Sequence, residues 1–150
     1  MLHVVLVEPE IPQNTGNIAR TCLAAGASLH LVEPLGFEIN GAALRRAGMD
    51  YWEHCDVRRW PSLDALHAAA EGARFFYLTT KSTRPYWEER FADGDYLVFG
   101  RETRGLPASL LAREKDRLLT IPMEPAARSL NLATSVGIVL YEACRQVRTS

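Results

Sequence analysis

A chain of 150 residues, 47% of them hydrophobic, is long enough for one globular domain with a sizeable core, so a single domain over residues 1–150 is expected. The formal net charge of -1 excludes a global basic field, and any anionic partner must be gripped by local clusters. Cys22, Cys55 and Cys144 are odd in number and far apart, which implies neither a disulfide framework nor a zinc site, and no metal is expected.

No apolar run approaches the ~20 residues that span a membrane, so no membrane partner is expected. The N-terminus enters a strand at once and Glu8 and Glu10 close it, which reads as no secretory signal and a cytoplasmic protein. Of the 17 basic residues 15 are arginine, the side chain better suited to bidentate phosphate contacts, although a GC-rich genome would produce the same bias.

LHVVLVEP (2–9) is a near-continuous apolar run ended by proline, as expected of a strand buried on both faces. PQNTGNIARTCLAAG follows as a polar loop running into a helix that Gly26 stops. SLHLVEP reads as a second short strand, AALRRAG (42–48) as a short helix, and the stretch around His54–Trp60 is ambiguous. SLDALHAAAEGA is a helix with Ser62 as N-cap and Gly72 near its end. FFYLTT and DYLVFG are two further buried strands, and PASLLARE is a helix with Pro107 in its first turn. LLTIP is a last short strand. The final helix shows apolar residues at Leu132, Val136, Val139/Leu140, Ala143 and Val147, the spacing of one buried face. Strands alternating with helices predict an α/β fold, a mostly parallel sheet with helices on both faces.

Polar, glycine-containing loops follow the first strand, DYLVFG and LLTIP. In parallel strands such loops gather at the carboxyl edge of the sheet, where ligands bind. The first, Asn14-Thr15-Gly16-Asn17-Ile18-Ala19-Arg20, offers Gly16 for positive φ in a tight turn and Asn14 or Asn17 as a helix cap. Arg20, one turn inside, could reach back over the loop or simply be a solvated arginine. The second, Phe99 to Pro107, carries glycines spaced G-x-x-x-x-G. Leu106 and Pro107 stand where a phosphate-binding loop needs lysine and a hydroxyl, which argues against a nucleotide triphosphatase. There is no G-x-G-x-x-G. That loop is left with exposed amides plus Glu102 and Arg104, or it is a glycine-bounded connection with a surface ion pair. The third, Ile121-Pro122-Met123-Glu124-Pro125 leading to Arg128-Ser129-Leu130-Asn131, is stiffened by two prolines. Its Ile121 and Met123 can contact a flat ring while Ser129 fixes its edge, or they can face the core.

NTGNIAR, FGRETRGLP and RSLNLATSVGIVLYEA, in that order, resemble the three motifs of the SPOUT superfamily of RNA methyltransferases, in its SpoU/TrmH branch. The likeness runs from LVEPEIPQNTGNIAR to YEACRQ. Arg101 stands where proline is more familiar, and Ala133-Thr134-Ser135 replaces a serine-asparagine pair; neither removes a group assigned to chemistry. With no added RNA-binding domain and an LTTKS segment after the fourth strand, the chain is most similar to the minimal members. That resemblance implies 2'-O-methylation of the ribose of the wobble nucleotide, cytidine or uridine 34, of tRNA, with leucine tRNAs expected. Another tRNA or rRNA nucleotide, or a non-catalytic cofactor- and RNA-binding module, remains the alternative.

The resemblance also implies a C-terminal trefoil knot, a homodimer, and S-adenosyl-L-methionine as cofactor. By position the cofactor contacts would be Leu78, Gly100, Ile121 and Ser129, with Met123 and Leu130 beside them. Arg20 and Asn131 would be catalytic. Asn14, Asn17, Glu102 and Tyr141 would support substrate binding, with tRNA held by the basic pair Arg45/Arg46. Arg58/Arg59 is the other paired basic site. A guanidinium is very hard to deprotonate, so Arg20 is expected to grip a phosphate and orient the 2'-hydroxyl rather than act as a base. Ala133 and Gly137, four apart on the last helix, would let another backbone approach closely.

Overall fold

The computed structural model describes residues 1–40, 42, 46 and 50–149. Strands β1 (His3–Val7), β2 (Ser28–Val32), β3 (Val57–Trp60), β4 (Phe75–Leu78), β5 (Tyr96–Phe99) and β6 (Leu118–Leu119) form one 6-stranded sheet in the order β3-β2-β1-β5-β4-β6. Every pairing is parallel. Helices α1 (Pro12–Ala25), α2 (Leu63–Ala69), α3 (Ala108–Arg113) and α4 (Leu132–Thr149) supply the covering layers.

Period-2 alternation divides the strand side chains between two cores. On one face Val4, Leu6, Leu29, Leu31, Leu97 and Phe99 meet Ile18, Ala19 and Cys22 of α1 and Val136, Val139, Leu140 and Ala143 of α4. On the other, Val5, Val7, Tyr77 and Val98 meet Leu66 of α2 and Leu110 and Leu111 of α3. β4 and β5 and most of β1 and β2 are apolar because both faces are covered, whereas edge strand β3 exposes Arg58 and Arg59. The predicted α/β sandwich is what forms, and the ambiguous stretch resolves into a 3-10 turn, Asp50–His54, followed by edge strand β3.

Several local readings change. The polar run after β1 is helix from Pro12 onward, so Asn14, Gly16, Asn17 and Arg20 lie inside α1. Pro12 starts it with φ preset and no amide to lose. Gly16 has no positive φ; that conformation belongs to Gly26, which ends α1 at φ 71 as expected. Ser62 Oγ accepts from Ala65 N at 3.0 Å and caps α2. Pro107 sits at the cap position of α3, one residue earlier than expected. Of the helix expected at 42–48, only Ala42 and Arg46 lie within the described residues, both helical.

A part-buried aromatic relay runs across the sheet from β3 through β2 to β1. The Trp60 indole N–H donates to His30 Nδ1 at 3.0 Å, and His30 Nε2 lies 3.0 Å from His3 Nδ1. An indole only donates, so His30 Nδ1 must be bare and its proton sits on Nε2, donated to His3. Burial, helped by the charges of His3 and Arg58, pushes the His30 pKa down to about 4, and burial also lowers that of His3. The unfolded chain takes up a proton near pH 6.5, whereas the folded one refuses it until about pH 4. Stability is thus complete above pH 6.5 and drains away as pH falls through that window, by about 3 kcal/mol for His30. Urea midpoints should fall steadily between pH 7 and 4, and His30→Phe should flatten that slope; a wild-type midpoint independent of pH would refute the relay.

Candidate active site

Chain order reverses between β1 and β5: helix α1 leaves β1 toward one face and α3 leaves β5 toward the other. Outside the carboxyl ends of such neighbours the departing loops cannot fill the edge, and a crevice opens. A cavity of about 420 Å³ lies there. Leu78, Ile121, Met123, Leu130 and Leu132 give it apolar walls, and Asn14, Thr79, Thr80, Thr120, Ser129, Asn131 and Ser135 add polar groups. Its size and mixed lining suit a nucleoside-sized ligand with a flat apolar ring and polar edges.

One chain of side-chain amides ties the three polar segments together. Glu102 accepts from the backbone amides of Glu10 and Ile11, both at 2.9 Å, and from Asn14 Nδ2 at 3.3 Å. The residue at the α1 cap, Ile11, has no side chain able to do this, so a carboxylate 91 residues away satisfies the helix start and its dipole. A carboxylate can only accept, which turns the Asn14 amide nitrogen toward it. Asn14 Oδ1 then accepts from Asn131 Nδ2 at 3.1 Å, and Asn131 Oδ1 accepts from Thr134 N at 3.2 Å as the N-cap of α4. The orientation of every amide in the chain follows from the first.

The second loop closes on itself. Arg101 and Gly105 exchange backbone hydrogen bonds at 3.3 and 2.9 Å, and Gly105 takes φ 66. Thr103 donates from its amide and hydroxyl to Glu10 at 3.1 and 2.8 Å, which holds the Glu10 carboxyl below its ordinary pKa. The loop's amides at Arg101, Thr103 and Gly105 are thus already engaged, contrary to the expectation of an exposed amide cradle. The loop also carries an ion pair, Arg101 with Glu8. The third loop ends in a 3-10 turn, Pro125–Ala127, and then Arg128 takes φ 64, ψ -52 while Ser129 N donates back to Ala127 O at 2.7 Å. That is a γ-turn of the rare, strained hand.

All six residues expected around the cofactor (Leu78, Gly100, Ile121, Met123, Ser129, Leu130) line this one cavity, as do Asn14, Glu102 and Asn131. Arg20, Asn17 and Tyr141 do not. Arg20 is exposed about two turns into α1, its guanidinium 5.6 Å above the Tyr51 ring, whose hydroxyl donates to Gly16 O at 2.7 Å. Asn17 shares that exposed side and Tyr141 is exposed on α4. Arg45 lies outside the described residues; Arg46 is exposed and away from the cavity. Arg58 and Arg59 form exposed ion pairs with Asp56 and Glu33 at 3.3 and 2.5 Å, and neither lines the cavity. A Cβ placed on Gly137 meets nothing within 4 Å, so the packing imagined for it does not occur within this chain. Thr79, Thr80 and Lys81 were missed because FFYLTT reads as one strand; β4 ends at Leu78, and the polar run directly after it was the available signal.

Among the described residues no cluster of His, Cys, Asp and Glu could hold a metal ion, and no helix is long and apolar enough to cross a membrane. Residues 1–141 match the family model described as the SpoU rRNA methylase family. The chain is 50% identical over 148 residues to the tRNA (cytidine(34)-2'-O)-methyltransferase of Escherichia coli K12, covering 98% of this chain and 94% of that protein. A solved structure concerned with the 2-OH methylation of C/U34 on tRNA superposes with a TM-score of 0.92 at 50% identity, covering 100% of this chain and 98% of that one. The SpoU methyltransferase AviRb of Streptomyces viridochromogenes, in complex with AdoMet, matches with a TM-score of 0.82 at 27% identity over 100% of this chain and 58% of that one. A parallel sheet whose switch-point crevice is built from the three motif segments, and a family match over nearly its whole length, lead to one conclusion: the chain belongs to the SpoU rRNA methylase family.

Proposed function

We propose that this chain is an S-adenosyl-L-methionine-dependent 2'-O-methyltransferase that modifies the ribose of cytidine or uridine 34, the wobble nucleotide of tRNA, with leucine tRNAs as substrates. The observation that carries the reading is 50% identity, over nearly all of both chains, to a protein of that named activity. The cavity fits the cofactor: Leu78, Ile121, Met123 and Leu130 can sandwich an adenine while Ser129 and loop backbone meet its edge. When bound, the cofactor supplies a methyl group on a sulfonium that departs as a neutral thioether.

The protein's part is then alignment and proton management. Asn131, held by Asn14 and by the start of α4, presents its remaining N–H beside the reacting ribose. Arg20 grips the phosphate next to the target and orients the 2'-hydroxyl, whose proton passes to phosphate or water, since the guanidinium does not deprotonate. Because Arg20 stands off the cavity of its own chain, it serves the cavity of a second copy. A homodimer built on α1 and α4 accounts for Ile11, Leu23 and Tyr141, which are 41%, 40% and 46% exposed on those helices or at their start. The domain, residues 1–150, carries its C-terminal segment as a trefoil knot and works in the cytoplasm where tRNA is processed.

Incubation with tritiated cofactor and total RNA, followed by ribose-methylation mapping, tests this directly. Label at nucleotide 34 of leucine tRNAs is expected. Label confined to ribosomal RNA, or to another tRNA position, would overturn the target, and cofactor binding without any transfer would make the chain a module.

A further inference from the structure

The cavity lining carries an excess of positive charge. Four charged side chains line it: Lys81, Arg101, Glu102 and Arg104. Arg101 is neutralised by Glu8, and Glu102 is consumed by the start of α1. Lys81 and Arg104 are exposed and have no carboxylate within ion-pair distance among the described residues, and Glu10, on the same side as the second loop, is already bonded twice by Thr103. Lys81 is presented on a pinned loop: its amide donates to Thr79 Oγ1 at 3.1 Å, and Ser82 Oγ donates to Leu118 O at 3.2 Å.

The third loop adds a cation in a costly way. Arg128 occupies the centre of the γ-turn, at a φ that glycine adopts freely and arginine does not. Its side chain is exposed and forms no ion pair among the described residues, so nothing within the fold repays the conformation. Met123 and Ser129, on either side of it in the chain, are both cavity wall. Each of the loops after β4, β5 and β6 therefore carries one uncompensated cation at or beside the same opening.

We propose that Arg128 is a substrate-contacting residue that binds a backbone phosphate of the RNA strand laid over the cavity, with Lys81 and Arg104 as its companions on the neighbouring loops. This rests on the reading that the substrate is RNA. The strained turn carries a guanidinium, the best bidentate partner for phosphate, on the segment between the cavity-wall residues Met123 and Ser129.

Arg128→Gly separates the side chain from the backbone, since glycine is at ease at this φ. The variant should unfold no earlier than wild type and bind S-adenosylhomocysteine within about two-fold. It should bind total tRNA at least about ten-fold more weakly at low salt, with the slope of log affinity against log salt shallower by about one. Arg128→Lys should recover part of the affinity and the full slope. Unchanged tRNA affinity and slope in Arg128→Gly would overturn the proposal. If wild type methylates only ribosomal RNA, the tRNA assignment fails, and the same titration on that RNA still decides the role of Arg128.

Discussion

Gly100→Ala should destroy the cofactor site while leaving most of the molecule folded. A Cβ at this position would lie 2.2 Å from Gly105 C, 2.3 Å from Leu106 N and 2.6 Å from Gly105 O. These are backbone atoms, so no rotamer change relieves the overlap. Nor can the loop easily give: it is closed by the paired hydrogen bonds of Arg101 and Gly105 and tethered by Thr103 to Glu10. Overpacking against side chains costs about 1–3 kcal/mol, and a collision with a tethered backbone belongs at or above the top of that range. The wall must shift to relieve the overlap, and about 3 kcal/mol lost from the bound state is roughly 100-fold in affinity. Calorimetric titration with S-adenosylhomocysteine should show affinity reduced about 100-fold or more, with a lower melting temperature. Gly137→Ala is the contrast, because its Cβ meets nothing in this chain and alanine favours a helix interior by roughly 1 kcal/mol. It should be neutral or stabilising in a monomer, and a loss of dimer in that variant would place Gly137 against a second copy. Wild-type cofactor affinity in Gly100→Ala would mean that the loop is not the rigid wall described.

Arg20→Ala should have the opposite profile. Its side chain is exposed and off the cavity, in contact with the Tyr51 ring, so stability should change by no more than about 0.5 kcal/mol and cofactor affinity should hold. Methyl transfer should fall at least about 100-fold, as when one preorganised donor is removed from a reacting centre. Mixing tests the proposed geometry between copies. A dimer of one Arg20→Ala chain and one Gly100→Ala chain keeps one intact cavity faced by one intact arginine only if Arg20 acts across the interface. Recovery of activity on co-refolding the two inactive variants is the expected result. No recovery from verified mixed dimers would place Arg20 at its own cavity, and undiminished turnover in Arg20→Ala alone would remove it from the mechanism.

Covered helix faces and buried strands were legible because each depends on residues a few positions apart. The apolar period of α4, the uninterrupted apolar runs of β1 and β5, the Ser62 cap and the Gly26 stop all came through. The position of α1 was misjudged for a definite reason. A run with Asn14, Gly16 and Asn17 near its start has weak helix propensity, and its start is satisfied by Glu102, which no local pattern could supply. For the same reason the partner of Arg101, Glu8, lies beyond any local pattern.

From its order of residues alone, then, this protein's layered α/β class and the gathering of three polar runs at one edge of the sheet could be anticipated: alternation and helical period determine which faces are buried, and loops that follow parallel strands leave from the same edge. Tertiary structure alone decided how those runs are spent. Glu102 became a helix cap, the Asn14–Asn131 amides were turned by bonds spanning 88 and 117 positions, and Arg20 was left facing outward. Such contacts exist only after the sheet has brought distant segments together, because a hydrogen bond is fixed by distance and angle in space and not by separation along the chain.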